Sequence, residues 1–218
     1  MDVEYVRPED IEKRSFEIIT RELGNGVVSI NGGTKLNDDA PEMAVIKRCI
    51  HTTADFDYAE TMWFSEGAID RFKELLEEGA TIVTDTNMAL AGISKPALAK
   101  FGCDACCFMA DEDVAKEAKE RLVTRAHVSM ERAMALRGPV IFVIGNAPTA
   151  LVTLREHYDR GLYKPAFIVG VPVGFVNVVA AKELIIDSDI PHIVNRGRKG
   201  GSNVAAAVVN AIIKDGTK

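Results

Sequence analysis

Three cations in four residues, Arg196, Arg198 and Lys199, run directly into Gly200-Gly201-Ser202. Small residues of that kind open helices, where free backbone N–H groups and the positive end of the helix dipole favour an anion. The cluster reads as a site for carboxylate or phosphate, and the plain alternative is a solvated basic turn. Its spacing is not that of a P-loop, G-x-x-x-x-G-K-[ST].

A second candidate is His51. Of the four histidines, His51, His127, His157 and His192, no two have zinc-ligand spacing. His127 and His157 fall within helical stretches and His192 opens a strand. His51 closes a helix beginning at Pro41 and precedes Thr52-Thr53-Ala54-Asp55-Phe56-Asp57. A helix C-terminus favours imidazolium, and Asp55 and Asp57 would push the same way. That makes His51 a candidate proton donor, weighed evenly against an ordinary surface histidine. Arg48 lies one helical turn earlier, on a similar face.

Other chemistries lack their motifs. No G-x-G-x-x-G follows a strand, no G-x-S-x-G elbow occurs, and no acidic run has metal-loop spacing. Cys103 and Cys106 form a C-x-x-C, but no second pair accompanies them, and Cys106 and Cys107 sit in an apolar run that suits a buried strand. Four cysteines without a framework fit a reducing compartment. The net charge of −6 argues against nucleic acid or an anionic membrane as partner, so an anionic ligand needs local cations such as those named. The N-terminus, acidic and polar over Met1 to Asp10, is not a secretory signal, and the longest apolar stretch, Pro165 to Ala181, is broken by Gly170, Pro172 and Gly174. The expected location is the cytoplasm.

The elements that must position these residues follow from the apolar pattern. Short continuous runs at Thr81–Val83, Ala105–Met109, Val140–Ile144, Ala166–Val169 and His192–Val194 read as strands covered on both faces. Between them lie helix-length segments with helical punctuation. Ser65 is expected to cap a helix over Glu66–Glu78, and Ser94 one over Lys95–Phe101. Asp111 opens a stretch to Leu136 broken near Thr124, Pro148 starts a helix to Arg160, and Gly201-Ser202 start one to Lys214. The class is therefore α/β, three-layered, with a mostly parallel sheet of about five strands flanked by helices. The chain, 1–218, is expected to form one domain. Its parallel core spans 80–214, and a partly helical N-terminal region, 1–60, carries helices near Pro8–Leu23 and Pro41–Ile50. Ligands of such sheets sit beyond the carboxyl ends of the strands. There the chain places Thr84-Asp85-Thr86-Asn87, Gly145 to Thr149, Gly170 to Phe175 and Asn195 to Ser202.

Taken in order, several stretches resemble the precorrin-8X (cobalt-precorrin-8) methylmutase family. They are Arg14-Ser15-Phe16, Lys47 to Asp55, Thr84 to Met88 with Ala91-Gly92-Ile93, Thr124-Arg125, Gly145 to Leu151, Pro172 to Val176 and Gly197 to Ser202. The resemblance implies an isomerase of cobalamin biosynthesis without cofactor or bound metal. A methyl group migrates from C11 to C12 of the corrinoid by a 1,5-sigmatropic shift, giving cobyrinic or hydrogenobyrinic acid. It implies His51 as the proton donor to a ring nitrogen, and Ser15, Arg48 and Arg125 as substrate contacts. Thr52 and the strand-end residues Asp85, Thr86, Asn146, Thr149, Gly174, Arg196, Arg198, Lys199, Gly200, Gly201 and Ser202 join them as candidate binding residues. It also implies a homodimer with the site near the interface. Whether the substrate carries cobalt stays open. Two other classes compete: a non-catalytic tetrapyrrole carrier, and an α/β enzyme acting on a nucleotide or phosphorylated metabolite through the basic turn.

Overall fold

A computed structural model of the chain describes residues 3–24 and 28–215. In chain order, a 3-10 turn at Pro8–Asp10 leads into α1 (Ile11–Glu22), and a small hairpin follows, β1 (Val28–Ile30) and β2 (Thr34–Leu36). Then come α2 (Pro41–Thr53), α3 (Tyr58–Thr61), β3 (Met62–Phe64), α4 (Ala68–Glu77), β4 (Thr81–Thr84), α5 (Asn87–Gly92) and α6 (Lys95–Ala99). The second half holds β5 (Ala105–Cys106), α7 (Glu112–Glu120), α8 (Arg125–Met134), β6 (Val140–Ile144), α9 (Pro148–Asp159), β7 (Phe167–Gly170), α10 (Val178–Ile186), β8 (His192–Asn195) and α11 (Ser202–Asp215).

The main sheet has the order β3-β8-β7-β6-β4-β5 and is parallel except for β3, which runs antiparallel to β8. The architecture is the expected three-layer one, with one strand beyond the five read from the apolar runs. The sixth strand is Met62-Trp63-Phe64, too short to announce itself by periodicity. It pairs Met62 with Asn195 and Phe64 with Ile193 along one edge.

Alternate residues of the central strands feed opposite layers, as the pleat requires. Ile141 and Val143 join Phe167, Val169 and Ile193 in a core shared with α2, α4 and α11. Val140, Phe142 and Ile144 join Ile168 and Val194 beneath α8, α9 and α10. Both faces are covered, which is why these strands read as continuous apolar runs rather than alternating ones.

Several boundaries shift for local reasons. Ser65 does not cap a helix: its hydroxyl donates to the His192 carbonyl at 3.2 Å and accepts from the His192 amide at 2.9 Å, and α4 begins after Gly67 in the left-handed region. Ser94 makes no side-chain cap, and its amide goes to Asn210. The break near Thr124 is real. Leu122 is left-handed at φ 56, and the Thr124 hydroxyl accepts from the His127 amide at 3.1 Å, starting α8. β5 covers two residues instead of five, leaving Cys106 and Cys107 half-buried. Helix α2 continues past His51 to Thr53 because Ala54, at φ 54, supplies the left-handed stop.

Candidate functional site

The carboxyl ends of the strands meet in one tightly bonded edge. Asp85, fully buried after β4, accepts the backbone N–H groups of Gly145 and Asn146, each at 2.8 Å, and of Ala147 at 2.6 Å. Burial pushes this carboxyl up and the three amide donors pull it back down. The Thr86 and Ser202 hydroxyls meet at 2.7 Å, and Thr86 also caps α5 through the Ala89 amide. Gly201 donates its amide to the Val171 carbonyl at 2.9 Å, and Gly174 to that of Arg198 at 3.2 Å. Two glycines are demanded by close approach. A Cβ at Gly145 would lie 2.8 Å from the Ser202 Cα, and one at Gly200 would lie 2.0 Å from the Val171 carbonyl oxygen.

The basic turn is held from below by a buried lysine. Lys182, with no exposed surface, donates to the carbonyls of Gly197 and Lys199, both at 2.8 Å. Burial pushes its pKa down to about 7. Asn195 donates to the Lys199 carbonyl at 2.9 Å and accepts from the Thr61 hydroxyl at 2.7 Å.

The three cations of the turn have separate fates. Arg196 leans away onto Glu183, at 2.6 Å, with its guanidinium 4.8 Å from the Trp63 ring centre. Lys199 binds Asp55 at 2.5 Å and Asp57 at 2.6 Å, an ion cluster that raises its pKa and ties the turn to the end of α2. Arg198 is exposed, 5.6 Å over the Phe175 ring. Asp55 and Asp57 therefore hold Lys199, where sequence reasoning had placed them beside His51.

On the neighbouring face, α1 lies across α2. Arg48 and His51, three residues apart, share one aromatic neighbour. The Phe16 ring stacks on the His51 imidazole, with centroids 5.3 Å apart and planes 17° apart, and the Arg48 guanidinium lies 4.7 Å from the same ring. Arg48 also pairs with Glu12 at 2.7 Å, which lowers the Glu12 pKa. Phe16, Arg48, Glu12 and Lys13 line a cleft of about 560 Å³, while His51 itself is exposed. The Ser15 hydroxyl donates to the Ile11 carbonyl, and that of Thr52 to the Arg48 carbonyl.

Arg125 and Thr149 sit elsewhere on the loop edge. The Thr124 hydroxyl donates to that of Thr149 at 3.3 Å, and Thr124, Thr149, His127 and Val176 line a separate cleft of about 540 Å³. His127 is engaged, with Nδ1 at 2.9 Å from the Thr153 hydroxyl and Nε2 at 3.1 Å from Glu131. Arg125 is exposed at the start of α8.

The structure thus brings Thr86, Gly174, Arg198, Gly200, Gly201 and Ser202 together, with Asn146 exposed beside them. The Lys199 tie fixes the basic turn to Asp55 and Asp57, just past the end of α2, the helix that carries Arg48, His51 and Thr52, while Ser15 lies on α1. Asp85 lies beneath the edge, and Arg196 turns away from it. Sequence reasoning missed Lys182, Asn195 and Phe16. A lysine inside the apolar helix 178–186 was a readable sign of a buried charge. Asn195 opens the last strand-end loop and Phe16 belongs to one of the family-like stretches, yet nothing local named the partner of either.

A mostly parallel sheet covered on both faces, with a glycine-lined loop edge that bears Arg198, places the chain among the α/β proteins whose ligands sit beyond the carboxyl ends of the strands. The model of one family, precorrin-8X methylmutase, matches residues 10–215. A cobalt-precorrin-8 methylmutase from Salmonella typhimurium is 41% identical over 208 residues, 95% of each chain. A precorrin-8X methylmutase from Pseudomonas aeruginosa is 36% identical, covering 96% of this chain and 97% of its own. The solved precorrin-8X methyl mutase from Thermus thermophilus superposes with a TM-score of 0.82 at 34% identity, covering 95% of this chain and 98% of that one. The chain belongs to the precorrin-8X methylmutase family, and its enzyme class is that of the methyl-shifting isomerases.

Proposed function

We propose that this chain, acting as one domain, moves a methyl group from C11 to C12 of a precorrin-8 macrocycle in cobalamin biosynthesis, with His51 as the proton donor. The cobalt-bearing form is the proposed substrate, in keeping with relatives of 41%, 40% and 38% identity that carry the name cobalt-precorrin-8 methylmutase. The observation that supports the reading is that His51 and Arg48 share one aromatic neighbour, Phe16, on a helix whose end is tied by Lys199 to the loop that carries Arg198. A polycarboxylate ring needs placed cations and helix N-termini to bind a protein of net charge −6.

The reaction conserves every atom. His51 lends a proton to a ring nitrogen, which makes the conjugated system electron-poor and eases the 1,5-shift, and takes the proton back from the product. Ser15, Thr52, Arg125 and the strand-end residues contribute orientation, the main service a unimolecular rearrangement asks of a protein. The exposed apolar side chains Met88, Phe175 and Val176, at 71%, 82% and 79% exposure, support a homodimer that closes over this edge. The unpaired cysteines fit a cytoplasmic location. Among the described residues no helix is long and apolar enough to cross a membrane.

The test is conversion of cobalt-precorrin-8 and of metal-free precorrin-8 by the purified protein, followed by visible absorbance. Turnover is expected with the cobalt form, and binding without turnover in both cases would favour a carrier. His51→Ala should bind substrate and lose turnover, and unchanged turnover removes His51 from the chemistry. Arg48→Ala should weaken binding by about 1–3 kcal/mol, the range of a charge-assisted hydrogen bond. Light scattering on the purified protein should return twice the chain mass.

A further inference from the structure

We infer that Phe16 is the positioning residue for His51, setting the plane in which the imidazole meets the substrate. The inference rests on the reading of His51 as proton donor and adds a residue to it. A proton donor must come within about 2.6–3.2 Å of its acceptor in a defined direction. Donors are commonly oriented by a hydrogen bond to the second ring nitrogen. Among the described residues neither nitrogen of His51 has a hydrogen-bond partner, and the side chain is exposed in the last turn of α2. An exposed side chain of this kind changes rotamer on a nanosecond scale unless something packs on it. The group that packs on it is Phe16, in near-parallel contact at 5.3 Å.

The contact differs from ordinary core packing. Phe16 is only half-buried, and its ring meets two functional side chains, the His51 imidazole and the Arg48 guanidinium. A carboxylate drawn to Arg48 would therefore lie close to the ring that holds His51. Stacking restrains the imidazole plane while leaving both nitrogen edges unoccupied, which suits a group that gives a proton and takes it back. Glu12, one helical turn before Phe16, binds Arg48 and supplies the second restraint on the same pair.

Two variants and one spectrum test this. Phe16→Leu should lower kcat by about 10- to 100-fold, the cost of a misplaced catalytic group, with KM changed far less. Phe16→Tyr, which keeps the ring, should restore most of kcat. In a His51→Ala background Phe16→Leu should cost nothing more, because a residue acting through His51 has no effect without it. In the proton NMR spectrum the His51 Cε1–H resonance should lie upfield under the Phe16 ring current and move downfield in Phe16→Leu. The inference is overturned if Phe16→Leu turns over normally while His51→Ala is slowed to a small residual rate. It is also overturned if the double variant is slower than His51→Ala, or if KM rises as much as kcat falls. Normal turnover by His51→Ala would overturn the proton-donor reading, and the positioning role with it, whatever the NMR shift reports about the stack.

Discussion

The strand-end edge and the α1–α2 face are built to opposite rules. At the edge, two buried ionisable groups of opposite sign, Asp85 and Lys182, are spent entirely on backbone: three amides for one and two carbonyls for the other. Neither touches the other, and each shapes a loop. On the α1–α2 face the charged and aromatic groups contact one another and solvent, and an exposed histidine rests on a half-buried ring. Preorganisation at the edge is prepaid during folding, so the edge can present Arg198 and the Ser202 helix start without further ordering. The histidine face is left looser, with room around the group proposed to exchange a proton. One exposed ion cluster, Lys199 with Asp55 and Asp57, joins the two regions.

If the edge is rigid in this sense, the largest effects belong to it. Gly200→Ala forces a Cβ within 2.0 Å of the Val171 carbonyl oxygen, at a φ of +156. A backbone neighbour cannot swing aside, so the variant should lose more than about 4 kcal/mol in urea unfolding, in the range kept for severe core defects. A loss below about 1 kcal/mol would show that the edge is deformable. Asp85→Ala comes next. It strands one buried amide and two partly buried ones and should cost about 3 kcal/mol, read in the same experiment.

Lys182→Met sharpens the contrast, because its expected stability change at neutral pH is small. Replacing a buried charge by an apolar chain of similar size is often neutral or favourable. The pH dependence should separate the two proteins. The pKa of Lys182 falls from 10.5 unfolded to about 7 folded, so between those values the unfolded chain holds the extra proton. Stability of the wild type should therefore rise with pH across that window relative to Lys182→Met. Parallel pH–stability curves would mean that the lysine is not desolvated. Substrate binding should weaken in the variant, since the Gly197 carbonyl loses its donor and the turn loosens.

Much of this design was legible in the sequence, in proportion to how local its causes are. The run Val140–Ile144 is buried on both faces and coincides with β6 to the residue. The run Ala105–Met109 looked equally apolar, yet only two residues pair, because β5 lies at a sheet edge and the chain turns away. Polar loops after the strands could be read as the ligand edge because parallel topology sends all of them to one side. Pairings across long separations could not. Lys199 meets Asp55 across 144 residues, and Phe16 meets His51 from a different helix. A sequence displays such charges and rings without naming their partners. Asp55 was thus placed beside its near neighbour His51, when its partner came from the far end of the chain.

The smallest effect should come from the link between the two regions. Lys199→Ala removes an exposed ion cluster, and such clusters add little to stability because water and salt screen them. The melting temperature should move slightly at low salt and not at all in concentrated salt. Catalysis is the sharper readout. Without the tie, the end of α2 is free to shift against the basic turn, and Asp55 and Asp57 are left as unpaired anions near the proposed site of a polyanionic substrate. KM should then rise more than loss of one exposed cation would account for, and Asp55→Asn combined with Lys199→Ala should recover part of it. If Lys199→Ala alone leaves KM unchanged, the rigid edge and the open face work as independent parts and the ion cluster is only a surface contact.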